Sequence, residues 1–112
     1  MASLEMKGKG SMDGVVQKLA EDIQNSGVSC TMVDSVDHLF DDTRVVVMVF
    51  EKYYWRANNR ASLTVVVAGT NGEITVNAIG SGGGQGAFLS FSWGAEDSFV
   101  SVVQDSLNGM GF

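Results

Sequence analysis

The chain has no proline, one cysteine, one histidine and only seven lysines and arginines in 112 residues. All but the first of these scarcities argue against a class of protein. Cys30 has no internal partner, so the chain is not a disulfide-stapled secreted scaffold. His38 has no second imidazole or thiol with which to complete a zinc site. Seven basic residues stand against thirteen carboxylates, giving a net charge of −6 and a pI near 4.4. With no basic run, neither nucleic acid nor an anionic membrane surface is an expected partner. The longest unbroken apolar run, "VVVMVF" from Val45 to Phe50, falls far short of the ~20 residues a membrane span needs. The first ten residues, "MASLEMKGKG", lack the apolar segment of a secretory signal. The cytosol is the expected compartment. The absence of proline excludes nothing by itself.

What is present is a globular composition, 45% hydrophobic and 18% charged. A chain of this length suits one domain, residues 1–112, that hides roughly 65% of its unfolded surface. Residues 1–10 show no periodicity and read as disordered. Over residues 11–26, Met12, Val15, Val16, Leu19 and Ile23 share one helical face, with Gly27 as a left-handed stop. Strands fill residues 28–93. "VSCTMVDSVDHLF" reads as an irregular strand and "RVVVMVFEKYYWR" as the strongest one. "ASLTVVVAG", "EITVNAIG" and, beyond a glycine-rich stretch, "AFLSFSW" follow. The second helix covers residues 95–108, with Ala95, Phe99, Val102, Val103 and Leu107 as its stripe and Glu96 and Asp97 in its first turn, where the dipole favours them. Gly109 ends it. The fold class is therefore α+β: a two-layer sandwich of about five antiparallel strands in a meander, with the N-terminal and C-terminal helices on one face.

Two tight turns set the expected register. Asn58-Asn59 as a two-residue loop puts Tyr54 opposite Leu63 and Phe50 opposite Val67. Asn71-Gly72 puts Val67 opposite Val76 and Val65 opposite Ala78. One face then collects Val46, Met48, Phe50, Tyr54, Leu63, Val65, Val67, Ile74, Val76 and Ala78 as the core. Lys52 lands on it too, and either snorkels at the edge or marks a bulge.

The stretch "IGSGGGQGAFLSFSWGAE" poses the sharpest chemical question. Gly82, Gly84 and Ala87 fit the loose dinucleotide fingerprint. That fingerprint acts only where the loop opens a helix, and here the chain is expected to enter a strand. The loop reads as a connector. The alternative is a small-molecule pocket or minor enzyme site beside Gly80–Gly86, using Gly82, Gly83, Gly84, Gln85, Trp93 and Tyr54 for an unspecified ligand. His38 lies among Asp34, Asp37, Asp41 and Asp42, a spacing that fits no calcium loop. Cys30 is ~26 Å along a strand from His38, too far for a nucleophile–base pair. No catalytic residue, metal site or cofactor is expected. The outward face of the sheet is more informative. Val47, Val49, Tyr53, Trp55, Val66 and Ile79 project there, where polar residues would normally alternate.

The stretches "FEKYYWRANNRASLTVVVAG" and "IGSGGGQGAFLSFSWGAEDSFVSVV" resemble a family of small uncharacterised, mostly Gram-positive bacterial proteins, a domain of unknown function. The GGGQGA…FSWGAE pattern carries the resemblance over Phe50 to Val103. It implies a cytosolic α+β protein and assigns no catalytic residue. The residues favour a non-enzymatic domain that self-associates, as a homodimer, or binds a partner through its sheet face.

Overall fold

The computed structural model describes the chain apart from residues 1, 28, 55–58 and 83–88, and describes the backbone alone at 2, 54, 59 and 89–98. The elements run β1 (Ala2–Lys9), α1 (Met12–Gln24), β2 (Cys30–Phe40), β3 (Thr43–Tyr54), β4 (Asn59–Thr70), β5 (Glu73–Gly82) and α2 (Leu89–Gly109). The strands form one antiparallel sheet in the order β1-β5-β4-β3-β2, and both helices pack on the same face of it. The expected α+β architecture is present, but its fifth strand is a different segment.

That strand is β1. Residues 2–9 pair with β5 along their whole length, from Ala2 opposite Gly80 to Lys9 opposite Glu73. The sequence does alternate there. Leu4 and Met6 turn toward the core, while Ser3, Glu5, Lys7 and Lys9 are exposed. Two apolar residues make a weak signal, and only the β5 edge gives them something to cover.

α1 then carries the chain from one edge of the sheet to the other. Thirteen residues at 1.5 Å each give ~20 Å, close to the ~19 Å between the outermost of five strands. Ser11 caps it by accepting a hydrogen bond from the Gly14 amide at 3.3 Å. Val15, Leu19 and Ile23, four residues apart, are its buried stripe. Its C-terminus departs from the expected left-handed stop. Gly27 has no positive φ, and the Ser26 hydroxyl instead donates to the Ile23 carbonyl at 2.6 Å. Gly27 is small for another reason. A β-carbon there would sit 2.5 Å from Cε of Lys52, whose chain crosses this point.

The Asn71-Gly72 turn is as expected, with φ of 52° and 82° at the two positions and Val67 opposite Val76. The other hairpin has a different register from the expected one. Tyr54 pairs with Asn59 and Phe50 with Leu63, and residues 55–58 between them lie outside the described residues. The pairing is displaced by four residues from the two-residue-loop register. Four is even, so every side chain keeps its face. The core therefore holds Val46, Met48, Phe50, Leu63, Val65, Val67, Ile74, Val76 and Ala78 of the predicted set, while the side chain of Tyr54, also expected there, lies outside what is described.

Of "AFLSFSW", Leu89 to Trp93 are helix and not strand, and Ala87 and Phe88 lie outside the described residues. The helix begins at Leu89, and Phe99, Val103 and Leu107 are its fully buried residues. Period-two and helical spacing coincide over so short a run, since Leu89 and Trp93 are also four apart. Glu96 and Asp97 consequently lie about two turns inside the helix, beyond the reach of its dipole. Gly111, with φ of 91°, closes the C-terminus. The Phe112 amide donates to the Leu107 carbonyl at 3.0 Å, and the Phe112 ring lies directly on Gly8 of β1.

Candidate functional site

The register places the outward residues side by side. Val36, Val47, Val66 and Asn77 form one row across β2, β3, β4 and β5, and Val49, Thr64 and Ile79 form the next. Val45, Ala68 and Thr75 form a third. The nine residues on β3, β4 and β5 in these rows carry no ionisable group. Ionisable groups ring them: Glu5, Lys7, Lys9 and Glu73 on one side, Glu51, Asp34 and His38 on the other. Both helices lie on the opposite face, so nothing among the described residues covers the patch. Ile79 is 45% exposed and Val36 47%.

Of the residues expected on this face, the structure gathers Val47, Val49, Val66 and Ile79. Tyr53 shares the face, opposite Arg60, two rows beyond Val49. Trp55 lies outside the described residues. Val36 was missed, and the signal was available: with Asp41-Asp42 as a two-residue turn, Val36 falls opposite Val47.

The expected ligand site is only partly described. Gly82 pairs with Ala61 at the end of β5. Tyr54 ends β3 at the same end of the sheet, and Trp93 is on α2. Gly83, Gly84 and Gln85 lie outside the described residues. The reason for setting a phosphate cradle aside is overturned, since the segment after Gly82 does lead into a helix. The sheet supplies a different one. β5 is antiparallel to both neighbours, whereas a dinucleotide unit needs a parallel neighbour for the strand preceding its helix. A depression of about 230 Å³ lined by Ser29, Thr31, Glu51, Lys52, Tyr53 and Arg60 lies at this end.

Lys52 resolves in favour of snorkelling. Its ammonium donates to the Ser26 carbonyl at 2.9 Å and stands 5.6 Å from the centre of the Phe99 ring. Cys30, opposite Lys52, is buried. Burial pushes its thiol up, partly offset by a hydrogen bond with Ser26 and by the Lys52 charge. A bulge at Val33 sends Cys30 and His38 to opposite faces, although they are an even number of residues apart. Of the acidic group around His38, Asp37 takes a two-pronged contact from Arg44 at 2.8 and 3.0 Å, and Arg44 also reaches Asp13 on α1. Arg44 accordingly holds the Asp37 carboxyl below its ordinary range. Among the described residues, no three potential metal ligands gather. No helix described is long and apolar enough to cross a membrane.

A family model, "Family of unknown function (DUF6054)", matches residues 1–111. No curated protein matches the chain. The chain belongs to that family, and the match takes in β1, α1 and β2, ahead of the stretch on which the sequence resemblance rested.

Proposed function

We propose that this chain is a self-associating module that works by burying the outer face of its sheet against a second copy. The observation that carries the reading is the uncharged centre at Val45, Val47, Val49, Val66, Ala68 and Ile79, ringed by ionisable groups. An apolar centre inside a polar rim is the anatomy of a protein interface. Five strands by about eight residues present on the order of 650 Å² in projection, near the ~800 Å² each partner gives to a specific interface. A two-fold axis lets each patch meet its twin, so one surface serves both copies.

Light scattering behind a sizing column, from micromolar to sub-micromolar protein, tests it. Val47→Glu with Val66→Glu places two carboxylates at the centre of the patch on partly exposed positions. The wild type should run above monomer mass and the double variant should fall by half or more, with unchanged circular dichroism. A monomeric wild type, or a variant that keeps its mass, removes the face from consideration.

A further inference from the structure

The edge strand β2 borders the face through Asp34, Val36 and His38, and it also presents an outermost backbone edge. Every residue from Val33 to Phe40 is exposed, on both sides of the strand. Of the five large hydrophobic residues exposed among the described residues, four are here: Val33 at 54%, Val36 at 47%, Leu39 at 72% and Phe40 at 62%. The opposite edge, β1, is built differently. Glu5, Lys7 and Lys9 alternate along it, and charges, lysine above all, blunt an edge against pairing. On β2 the outward-facing positions from the bulge onward are Asp34, Val36, His38 and Phe40, with the His38 and Phe40 rings 5.9 Å apart.

We infer that the β2 edge pairs antiparallel with the β2 edge of a second copy about a two-fold axis, Val36 opposite its own twin and Asp34 opposite His38 of the other chain. The choice of register follows from the residues. Opposed residues must share a face, so a residue and its partner are an even number of positions apart. Centring on Asp37 sets that carboxylate against its twin. Centring on Ser35 sets Asp34 against Val36 and Val33 against Asp37. Centring on Val36 sets Asp34 against His38 twice, Val36 against Val36, and Ser35, a hydroxyl donor, against Asp37. Val33 and Leu39 then fall level at each end. Only this register matches charge with acceptor and apolar with apolar, and opposed pairs of these kinds are what stabilise a sheet. The product is a ten-stranded sheet whose two outer faces stay flush and open. The inference uses a different axis from the face contact and stands whether or not that face is covered.

The test separates the two. In a Val47→Glu, Val66→Glu background the face is disabled. There, Cys30→Ala with Val36→Cys places a single thiol beside its twin across the proposed axis. Mild oxidation at micromolar protein should give a disulfide-linked dimer in high yield. The same background with Thr70→Cys, an exposed residue on β4, should give little. Equal yields would overturn the proposal. Charge exchange then reads the register, without engineered thiols. His38→Asp opposes two carboxylates twice and should weaken the dimer roughly tenfold. Asp34→Lys added to it restores opposite charges and should recover the affinity. Failure of the second change to rescue the first would overturn the register. A mass that grows without limit with concentration, from head-to-tail β1–β2 pairing, would overturn the two-fold arrangement.

Discussion

Val65 and Val67 of β4 are completely buried, while Val66 between them is partly exposed; on β3, Val46 is 4% exposed while Val45 and Val47 are less deeply covered. The side chains are identical and the positions adjacent. The pleat sends them to opposite faces, and only one face receives a second layer, in which Leu19, Ile23, Phe99, Val103 and Leu107 close over the strands. The comparison teaches that β-branched residues here report strand propensity on both faces and burial on one. An apolar run therefore locates a strand without saying which side of it is the core.

The comparison breaks most sharply at Phe50, the largest fully buried side chain among the described residues of the sheet. Phe50→Ala should cost about 3–5 kcal/mol by urea denaturation, from lost transfer energy and the cavity left between sheet and helices. One chemical change made on both faces of β4 sharpens it further. Val67→Thr buries a hydroxyl with no partner provided for it and should cost about 1–3 kcal/mol. Val66→Thr should stay within about 0.5 kcal/mol in the monomer. Comparable losses at the two positions would mean that the outer face is as tightly packed as the inner one.

The face assignments were legible in the sequence because they depend on parity alone, and parity survived a four-residue error in the β3–β4 register. That error arose because Asn58-Asn59 looks like a two-residue turn, while Asn59 already belongs to β4, opposite Tyr54. Asn71-Gly72 succeeded because Gly pins the turn where positive φ is needed. β1 was not legible, for its two inward residues take their meaning from the β5 edge, more than sixty residues away in sequence. The start of α2 was misread because aromatic residues in alternation favour a strand locally, whereas the segment belongs to the helix whose Phe99, Val103 and Leu107 are buried in the core. Gly27 taught the same lesson at a single residue: its glycine serves a neighbouring lysine, not its own φ. Of the candidate interaction face, most positions were legible, and Val36 was missed although the Asp41-Asp42 turn places it there.

The smallest effect concerns the layer that makes the two faces differ. Ser106, buried on α2, donates to Asp22 of α1 at 2.6 Å, and Lys18 reaches the other carboxylate oxygen at 3.0 Å. The Ser106 hydrogen bond is the main reason that the Asp22 carboxyl titrates below its ordinary range, with Lys18 assisting against the opposing cost of burial. A carboxyl whose pKa is lower folded than unfolded binds protons more readily when unfolded. Its contribution is thus complete above the unfolded value of about 4 and disappears as pH falls through the depressed folded value. Asp22→Asn should remove that part of the acid sensitivity, giving a shallower loss of stability below pH 5 than the wild type shows. Ser106→Ala should raise the folded pKa back toward the ordinary value and flatten the same slope. Each effect should stay within about 1 kcal/mol, because the carboxylate is partly exposed and solvent screens it. Asp37, held down by Arg44, contributes in the same pH window and with the same sign. The informative quantity is therefore the difference between each variant and wild type in paired urea titrations from pH 3 to 7. An unchanged difference across that range would mean that the two helices are held on the sheet by their apolar stripes alone, and that Asp22 and Ser106 merely fill the seam between them.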